Sequence, residues 1–125
     1  MDTPPHSKAY WRWSARVARR DIRAAMWKLA HPPIAHLRLW LCIHSHEGAW
    51  NDDTGNGYYG GLQMTADWGP YGRPLVYHAN TLSPWGQMLV AEHGYRIVIQ
   101  TQGYSYARYT WLPGQWNHPD CFRSA

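Results

Sequence analysis

Glu47 is the residue whose sequence neighbours best suit acid–base chemistry. Residues 34–47 predict a helix, and Gly48 is the glycine that commonly comes just after a helix C-terminus. The negative end of the helix dipole disfavours the charged form of a carboxyl placed there. Cleavage of a glycosidic bond needs such a group, because the acid must deliver its proton to the leaving oxygen. The alternative is that Glu47 is only a surface charge at a helix end.

A run of turn-forming and aromatic residues after Glu47 predicts the opposite wall of a cleft. Residues 51–57 are typical of turns and contain Asn56-Gly57, a strong hairpin signal. Residues 58–63 predict a short strand whose glycines let another segment approach closely. Gln63 could hydrogen-bond a sugar or orient the acid. The aromatic residues that could wall the cleft are Trp50, Tyr58, Tyr59 and Trp68.

Other titratable residues offer fewer chemical possibilities. Asp52 and Asp53 are candidates for a second catalytic carboxylate, although aspartates just before Asn-Gly commonly form turns. Glu92 lies four residues before Arg96 on a predicted helix, which favours an ion pair between them. No metal and no cofactor are expected, since the histidines of residues 44–46 alternate on a helix and no HExxH motif is present.

Residues 7–31 predict a helix with an apolar stripe beside a basic face. The stripe steps by three or four positions, through Trp11, Ala15, Ala18, Ile22, Met26 and Leu29. The basic face consists of Arg12, Arg16, Arg19, Arg20 and Arg23. Residues 1–31 hold seven Lys/Arg against two Asp, a net charge of +5, whereas the remaining residues hold five Arg against six acids. The helix could bind nucleic acid, phospholipid headgroups or acidic wall polymers, or it could be a solvated face of a helix that packs on the domain.

The chain divides at Pro32-Pro33, which ends the first helix and can begin another. We therefore expect a basic helix and its break in residues 1–33, and one domain with its own core in residues 34–125. Residues 65–71 predict a short helix. Ser83-Pro84 begins a longer helix that runs to about Gln102, and residues 104–125 are expected to be irregular.

Composition and cysteine usage narrow the class of protein further. Nine Trp and nine Tyr stand against one Phe, which favours half-wet aromatic surfaces as well as a core. The two cysteines either pair, which requires an oxidising compartment, or are separate buried thiols. No stretch is apolar enough to span a bilayer and no signal-peptide pattern opens the chain, so we expect any leader to be absent from it.

A long and specific pattern extends from Cys42 to Gln63. It consists of Cys42, Glu47-Gly48-x-Trp50 and the run TGNGYYGGLQ over residues 54–63. This pattern resembles the catalytic domain of resuscitation-promoting factors, in the transglycosylase-like branch of the lysozyme superfamily. The similarity continues through Ser83-Pro84-x-x-Gln87 and residues 90–92, and it covers roughly residues 38–122. The chain departs from the best-known members in placing four residues between the cysteine and the glutamate, where those members have none.

The resemblance implies a small lysozyme-like α+β domain, mainly helical, with a short β-hairpin beside the active-site cleft. It implies an extracellular enzyme that cleaves the β-1,4 bond between N-acetylmuramic acid and N-acetylglucosamine of peptidoglycan, with Glu47 as the general acid. It leaves open whether water or the muramic acid's own C6 hydroxyl attacks. It also implies a Cys42–Cys121 disulfide. With the cleft argument, it gives the substrate-binding residues as Trp50, Tyr58, Tyr59, Gln63, Thr65, Trp68 and Gln87.

A non-catalytic module is the competing interpretation. The basic helix and the abundant Trp and Tyr would also suit a protein that binds cell walls or stacks on nucleic-acid bases. Glu47 and the complete Gly/Tyr run favour the enzyme. We therefore expect peptidoglycan glycan strands as the partner, anionic wall polymers as a second partner of the basic helix, no nucleic acid, and a monomer.

Overall fold

The computed structural model describes residues 6–68 and 78–124. The chain forms two compact units, Met1–Pro33 and Ile34–Ala125, and the boundary along the chain comes directly after Pro32-Pro33. Helices dominate the described residues, as predicted. None of the helices in the described ranges is both long and apolar enough to cross a membrane.

The first unit is built on one long helix, α1 (Lys8–Ala30), which confirms the helix predicted over residues 7–31. Ser7 caps its beginning, since the Ser7 hydroxyl accepts a hydrogen bond from the Tyr10 backbone N–H at 3.1 Å. The helix ends just before Pro32, which cannot donate a backbone hydrogen bond. No residue within Lys8–Ala30 is buried.

The second unit is centred on two helices, α2 (Leu37–His46) and α3 (Pro84–Gln102). The Ser83-Pro84 start and the Gly103 stop of α3 are confirmed: Ser83 Oγ accepts from the Gly86 N–H at 3.0 Å, and Gly103 has a φ of 90°. Both helices contribute to the core, which includes Trp40, Ile43, Leu62, Met64, Ala91 and Tyr95.

Glu92 of α3 does not form the expected ion pair with Arg96. Its carboxylate is 3% exposed and instead accepts hydrogen bonds from the His36 backbone N–H and from His36 Nδ1, each at 2.8 Å. His36 directly precedes α2, so the carboxylate satisfies a backbone donor that the start of that helix leaves free. The prediction was wrong because i, i+4 spacing takes no account of a buried donor 56 residues away.

The tail is helical, and the prediction of an irregular segment was wrong. It comprises α4 (Tyr104–Tyr106), a π-helical turn (Ala107–Trp111), α5 (Leu112–Gln115) and a 3-10 segment (Pro119–Ser124). Ala107, Leu112 and Trp116 are buried, and Trp116 Nε1 donates to the Leu62 carbonyl at 2.7 Å. The Pro and Gly content of the tail disfavours a helix. Burial of these side chains against the rest of the unit therefore stabilises the helical conformation.

The predicted hairpin region contains two isolated antiparallel bridges, Asp53 with Tyr59 and Tyr59 with Met64. Tyr59 and Met64 exchange backbone hydrogen bonds of 2.9 and 3.0 Å. Gly55, Gly57 and Gly60 have positive φ and supply the turns. The bridges do not extend into longer strands within residues 51–68. The helix predicted over residues 65–71 is a 3-10 turn at Ala66–Trp68, and residues 69–71 lie outside the described part.

Candidate active site

Glu47 is the residue that ends α2. Its backbone N–H donates to the His44 carbonyl at 3.1 Å, which closes the last turn, and its own φ and ψ of −98° and −134° take the chain out of the helix. The Glu47 side chain is 22% exposed. The carboxyl is therefore held at the negative end of a helix while it remains open to a substrate.

A histidine from the tail is hydrogen-bonded to this carboxyl. His118 Nε2 lies 2.8 Å from Glu47 Oε1, and both side chains are about three-quarters covered, with 23% and 22% of their surfaces exposed. An imidazole N–H that donates to Oε1 fixes the rotation of the carboxyl. Oε2 has no hydrogen-bond partner among residues 6–68 and 78–124. One carboxyl oxygen is therefore anchored and the other is available.

The Cys42–Cys121 disulfide positions His118. The disulfide joins α2 to the tail with a Cα–Cα distance of 5.5 Å, and the Cys121 N–H donates to the His118 carbonyl at 3.0 Å. Because His118 is three residues before Cys121, the disulfide brings it to the end of α2. The disulfide that the resemblance implies is thus present and lies next to the Glu47–His118 pair.

A second imidazole–carboxylate pair supports the first. The His46 ring stacks on the His118 ring, with centroids 4.6 Å apart, and His46 Nε2 donates to Asp120 Oδ2 at 2.9 Å. The hydrogen bond from His46 lowers the pKa of the Asp120 carboxyl below its ordinary value. His118 is therefore confined by the stacked His46 ring, by its bond to Glu47 and by the neighbouring disulfide.

Asp52 and Gln63 lie against the residue that follows Glu47. Gln63 Nε2 donates to Asp52 Oδ2 and to the Gly60 carbonyl, both at 2.9 Å. A Cβ at Gly48 would collide with Asp52 Oδ2 and would lie 2.9 Å from Gln63 Nε2, so a side chain there would displace these two groups. Gln63 also has a φ of 50°, an uncommon conformation for a residue with a side chain. The structure thus brings two of the predicted polar residues against Gly48, the residue that follows Glu47.

The two aspartates of this loop have different roles. Asp53 Oδ1 accepts the Gly55 N–H at 3.2 Å, the local turn bond that its position predicted. Asp52 instead contacts Gln63 and Gly48. Of the two candidates for a second carboxylate, Asp52 thus lies against Gly48, the residue after Glu47, and Asp53 is used in the turn.

Trp50 packs against His44 and Gly61. Its ring stacks on His44 with centroids 3.7 Å apart, and His44 Nδ1 donates to the Gly61 carbonyl at 2.9 Å. A Cβ at Gly61 would collide with both rings. The absence of a side chain at Gly61 is therefore what allows Trp50 to pack where it does.

Gln87 was predicted to bind substrate, and the structure places it in the interior of the second unit. It is fully buried, its Oε1 accepts the Gly61 N–H at 2.8 Å, and its Nε2 donates to the carbonyls of Trp50 at 2.7 Å and Leu82 at 3.0 Å. Both N–H groups of the side-chain amide and one lone pair of its oxygen thus serve the backbone. Gln87 therefore positions the Trp50 and Gly61 segments, and its side chain has no exposed surface.

The other predicted binding residues divide between the surface and the core. Tyr58 is half exposed, Tyr59 stacks on His78 with centroids 3.9 Å apart, and the Thr65 hydroxyl is bonded to Asp67. Trp68 instead packs on Trp116 and Trp111, at centroid distances of 5.1 and 5.4 Å. Trp68 therefore packs against the aromatic core while part of its surface stays exposed, and its contact with a substrate stays a prediction.

Sequence reasoning missed His118 and gave His46 no role. The signal that would have found His118 is the disulfide, because pairing Cys42 with Cys121 necessarily brings the residues just before Cys121 to the end of α2.

A group of potential metal ligands overlaps the site. Donor atoms of Cys42, His46, Asp120 and Cys121 all lie within 4.8 Å of one another. Both sulfurs belong to the disulfide, and a metal requires thiolates. In the oxidised chain this group therefore offers one imidazole and one carboxylate, two ligands short of a tetrahedral protein site.

Comparisons with protein-family models, with curated proteins and with solved structures found no match.

The role of Gln87 can be tested through stability. Gln87→Ala would leave the Gly61 N–H and the Trp50 and Leu82 carbonyls without their partners. Each such buried group costs about 1–3 kcal/mol, so we expect the free energy of unfolding to fall by about 3 kcal/mol or more in urea denaturation. Gln100→Ala, an exposed glutamine of the same helix, is the matched control and should change it by less than about 0.5 kcal/mol. Equal stabilities of the two variants would contradict this structural role of Gln87.

Proposed function

We propose that this chain is a peptidoglycan-cleaving glycosidase in which Glu47 is the general acid. The observation that carries the proposal is the carboxyl at the end of α2 with Oε1 bonded to His118 and Oε2 left available. The sequence pattern over residues 42–63 supports it from a separate direction. In this proposal the mainly helical unit is a small lysozyme-like domain, and residues 53–64 are the hairpin beside its cleft.

The reaction begins when Glu47 transfers a proton from Oε2 to the oxygen that links N-acetylmuramic acid to N-acetylglucosamine. The bond from muramic acid C1 to that oxygen breaks, and positive charge develops on the sugar ring. His118 donates its Nε2 hydrogen bond to Oε1 while negative charge grows on the carboxylate. That interaction is stronger in the transition state than in the ground state, which is what accelerates a chemical step.

The reaction ends with attack on C1 by a nucleophile whose proton returns to Glu47. If the nucleophile is water, the product has a reducing muramic acid. If it is the C6 hydroxyl of the same sugar, the product is the 1,6-anhydro form and no second carboxylate is needed. Asp52 is the residue whose position suits the hydrolytic alternative, since it lies against Gly48.

The Cys42–Cys121 disulfide supports an extracellular location at the cell wall, because disulfides persist in oxidising compartments. The partner is then a peptidoglycan glycan strand that a monomer of this chain binds across the Glu47 cleft. The proposed sugar contacts are aromatic and amide side chains that follow Glu47 in the chain, namely Trp50, Tyr58, Tyr59 and Gln63.

The proposal is tested by separating cleavage from binding. The purified chain is incubated with insoluble peptidoglycan, and both the protein bound to the pellet and the sugars released into the supernatant are measured. Release of sugars supports the enzyme. Binding without release would overturn it in favour of a non-catalytic wall-binding module.

His118 is expected to act as a positioning residue for Glu47. Removing one preorganised donor costs about 10²-fold in rate, so His118→Ala should lower kcat by about 10²-fold with little change in KM. His118→Gln retains an N–H donor and should recover part of the loss. His93→Ala, an exposed histidine on α3, is the control and should behave as wild type. A pH–rate profile that is the same for His118→Ala and wild type, with unchanged kcat, would show that His118 plays no part.

A further inference from the structure

The apolar stripe of α1 is exposed along the length of the helix. The exposed fractions are 58% for Trp11, 59% for Ile22, 63% for Met26 and 81% for Leu29. Large apolar side chains that lie together on a surface mark a site for another apolar body. Within the first unit, the helix Lys8–Ala30 buries none of its residues.

An arginine row runs beside the stripe. Four arginines each come one position after a residue of the stripe, and one position is a rotation of about 100° around a helix. The arginines are Arg12, Arg16, Arg19 and Arg23, and the stripe residues before them are Trp11, Ala15, Ala18 and Ile22. Arg20 widens the row. The first turn of α1 contains no acidic residue. A shallow groove along the arginine row is lined by Trp13, Arg16, Val17, Arg19, Arg20 and Arg23. The apolar and cationic surfaces are therefore adjacent and parallel.

These two surfaces together select one class of partner. A dissolved polyanion, such as a wall polymer or a nucleic acid, would neutralise the arginines and leave Ile22, Met26 and Leu29 in water. A second copy of α1 would cover the stripe but would bring two rows of guanidinium groups close together. An anionic membrane surface accommodates both, because its phosphates face the cations and its acyl boundary receives the apolar side chains.

We propose that α1 lies in the plane of an anionic lipid membrane, with its stripe in the acyl boundary and its arginine row on the headgroup phosphates. Five arginines among 23 residues suit a helix that lies on a bilayer rather than one that crosses it. Long arginine side chains reach the phosphates while their stems remain beside the apolar stripe. The proposal is independent of the proposed glycosidase activity.

The test is co-sedimentation of the full chain with lipid vesicles. One set contains equal parts of phosphatidylglycerol and phosphatidylcholine, and the other contains phosphatidylcholine alone. We expect at least tenfold tighter binding to the anionic vesicles, weakened but not abolished by salt, since charges are screened over about 8 Å at physiological ionic strength whereas apolar burial is not. Equal binding to both vesicle types, or none to either, would overturn the proposal.

Two variants separate the lipid surface from the other partners. The first is a triple variant that removes three positive charges: Arg12→Gln, Arg16→Gln and Arg19→Gln. The second is a double variant that removes two apolar side chains of the stripe: Ile22→Gln and Leu29→Gln. Each should lower the affinity for anionic vesicles at least tenfold. Circular dichroism should show unchanged helix content, because the substituted side chains are exposed. Ala24→Gln, an exposed position outside the stripe and the arginine row, is the control and should bind as wild type.

The remaining outcomes identify the competing partners. If the stripe variant binds anionic vesicles as wild type does, and inorganic polyphosphate competes fully, the surface recognises a dissolved polyanion and the lipid proposal fails. It also fails if sedimentation without lipid shows a dimer that the stripe variant abolishes, because the stripe would then be covered by a second copy.

Discussion

Glu47→Gln should abolish nearly all glycan cleavage while binding of the chain to peptidoglycan persists. General acid catalysis contributes about 10²- to 10⁴-fold, and an amide of the same size has no proton to give to the glycosidic oxygen. The glutamine carbonyl can still accept the hydrogen bond from His118, so the local geometry should survive. The measurement is the initial rate of sugar release from purified peptidoglycan, with pellet binding measured in parallel.

Two aspartate variants serve as controls for that experiment. Asp53→Asn keeps an acceptor for the Gly55 N–H and should leave the rate within about twofold of wild type, since single surface changes usually have small effects. Asp52→Asn should reduce the rate only if water is the nucleophile and Asp52 assists it. A Glu47→Gln variant that cleaves at close to the wild-type rate would remove the basis of the proposed mechanism.

Loss of the disulfide should have the largest effect on stability. Cys42 and Cys121 are 79 residues apart, and closing a loop of that length stabilises the native state by about 4 kcal/mol in the chain-entropy account. The Cys42→Ser, Cys121→Ser double variant should therefore unfold at a much lower urea concentration. Its activity should also fall, because the tail that carries His118 is no longer tied to α2.

A thiol reductant provides the matched comparison. Dithiothreitol should lower the unfolding midpoint of the wild-type chain towards that of the double variant, and it should leave the double variant unchanged. The disulfide prediction fails if mass spectrometry of the unreduced wild-type chain shows two thiols that are free to alkylate.

Local signals in the sequence were sufficient to predict where the capped helices begin and end. Ser83-Pro84 and Gly103 bound α3 where the sequence predicted, and the break at Pro32-Pro33 ends α1, because each signal acts through backbone groups within a few residues. Glu47 was placed at the end of α2 for the same reason. The fold class was predicted only at the level of a mainly helical domain.

Residues whose roles depend on distant partners were the ones that sequence reasoning missed or misplaced. His118 meets Glu47 across 71 positions, Gln87 meets Gly61 across 26, and Glu92 meets His36 across 56. Trp68 was expected in the cleft because of its place in the chain, and its contacts with the tail residues Trp111 and Trp116 were not predicted. The helical tail depends on the same burial, which composition and spacing alone do not reveal.

Mass spectrometry of the fragments released from purified peptidoglycan tests the central claim most directly. The account predicts soluble muropeptides that end in N-acetylmuramic acid, either as the reducing sugar or as its 1,6-anhydro form, and the absence of these fragments with Glu47→Gln. The two forms differ by one water, so the same spectrum distinguishes hydrolysis from transglycosylation. Fragments that end in reducing N-acetylglucosamine, release of peptides alone, or no release by the wild-type chain would contradict the account.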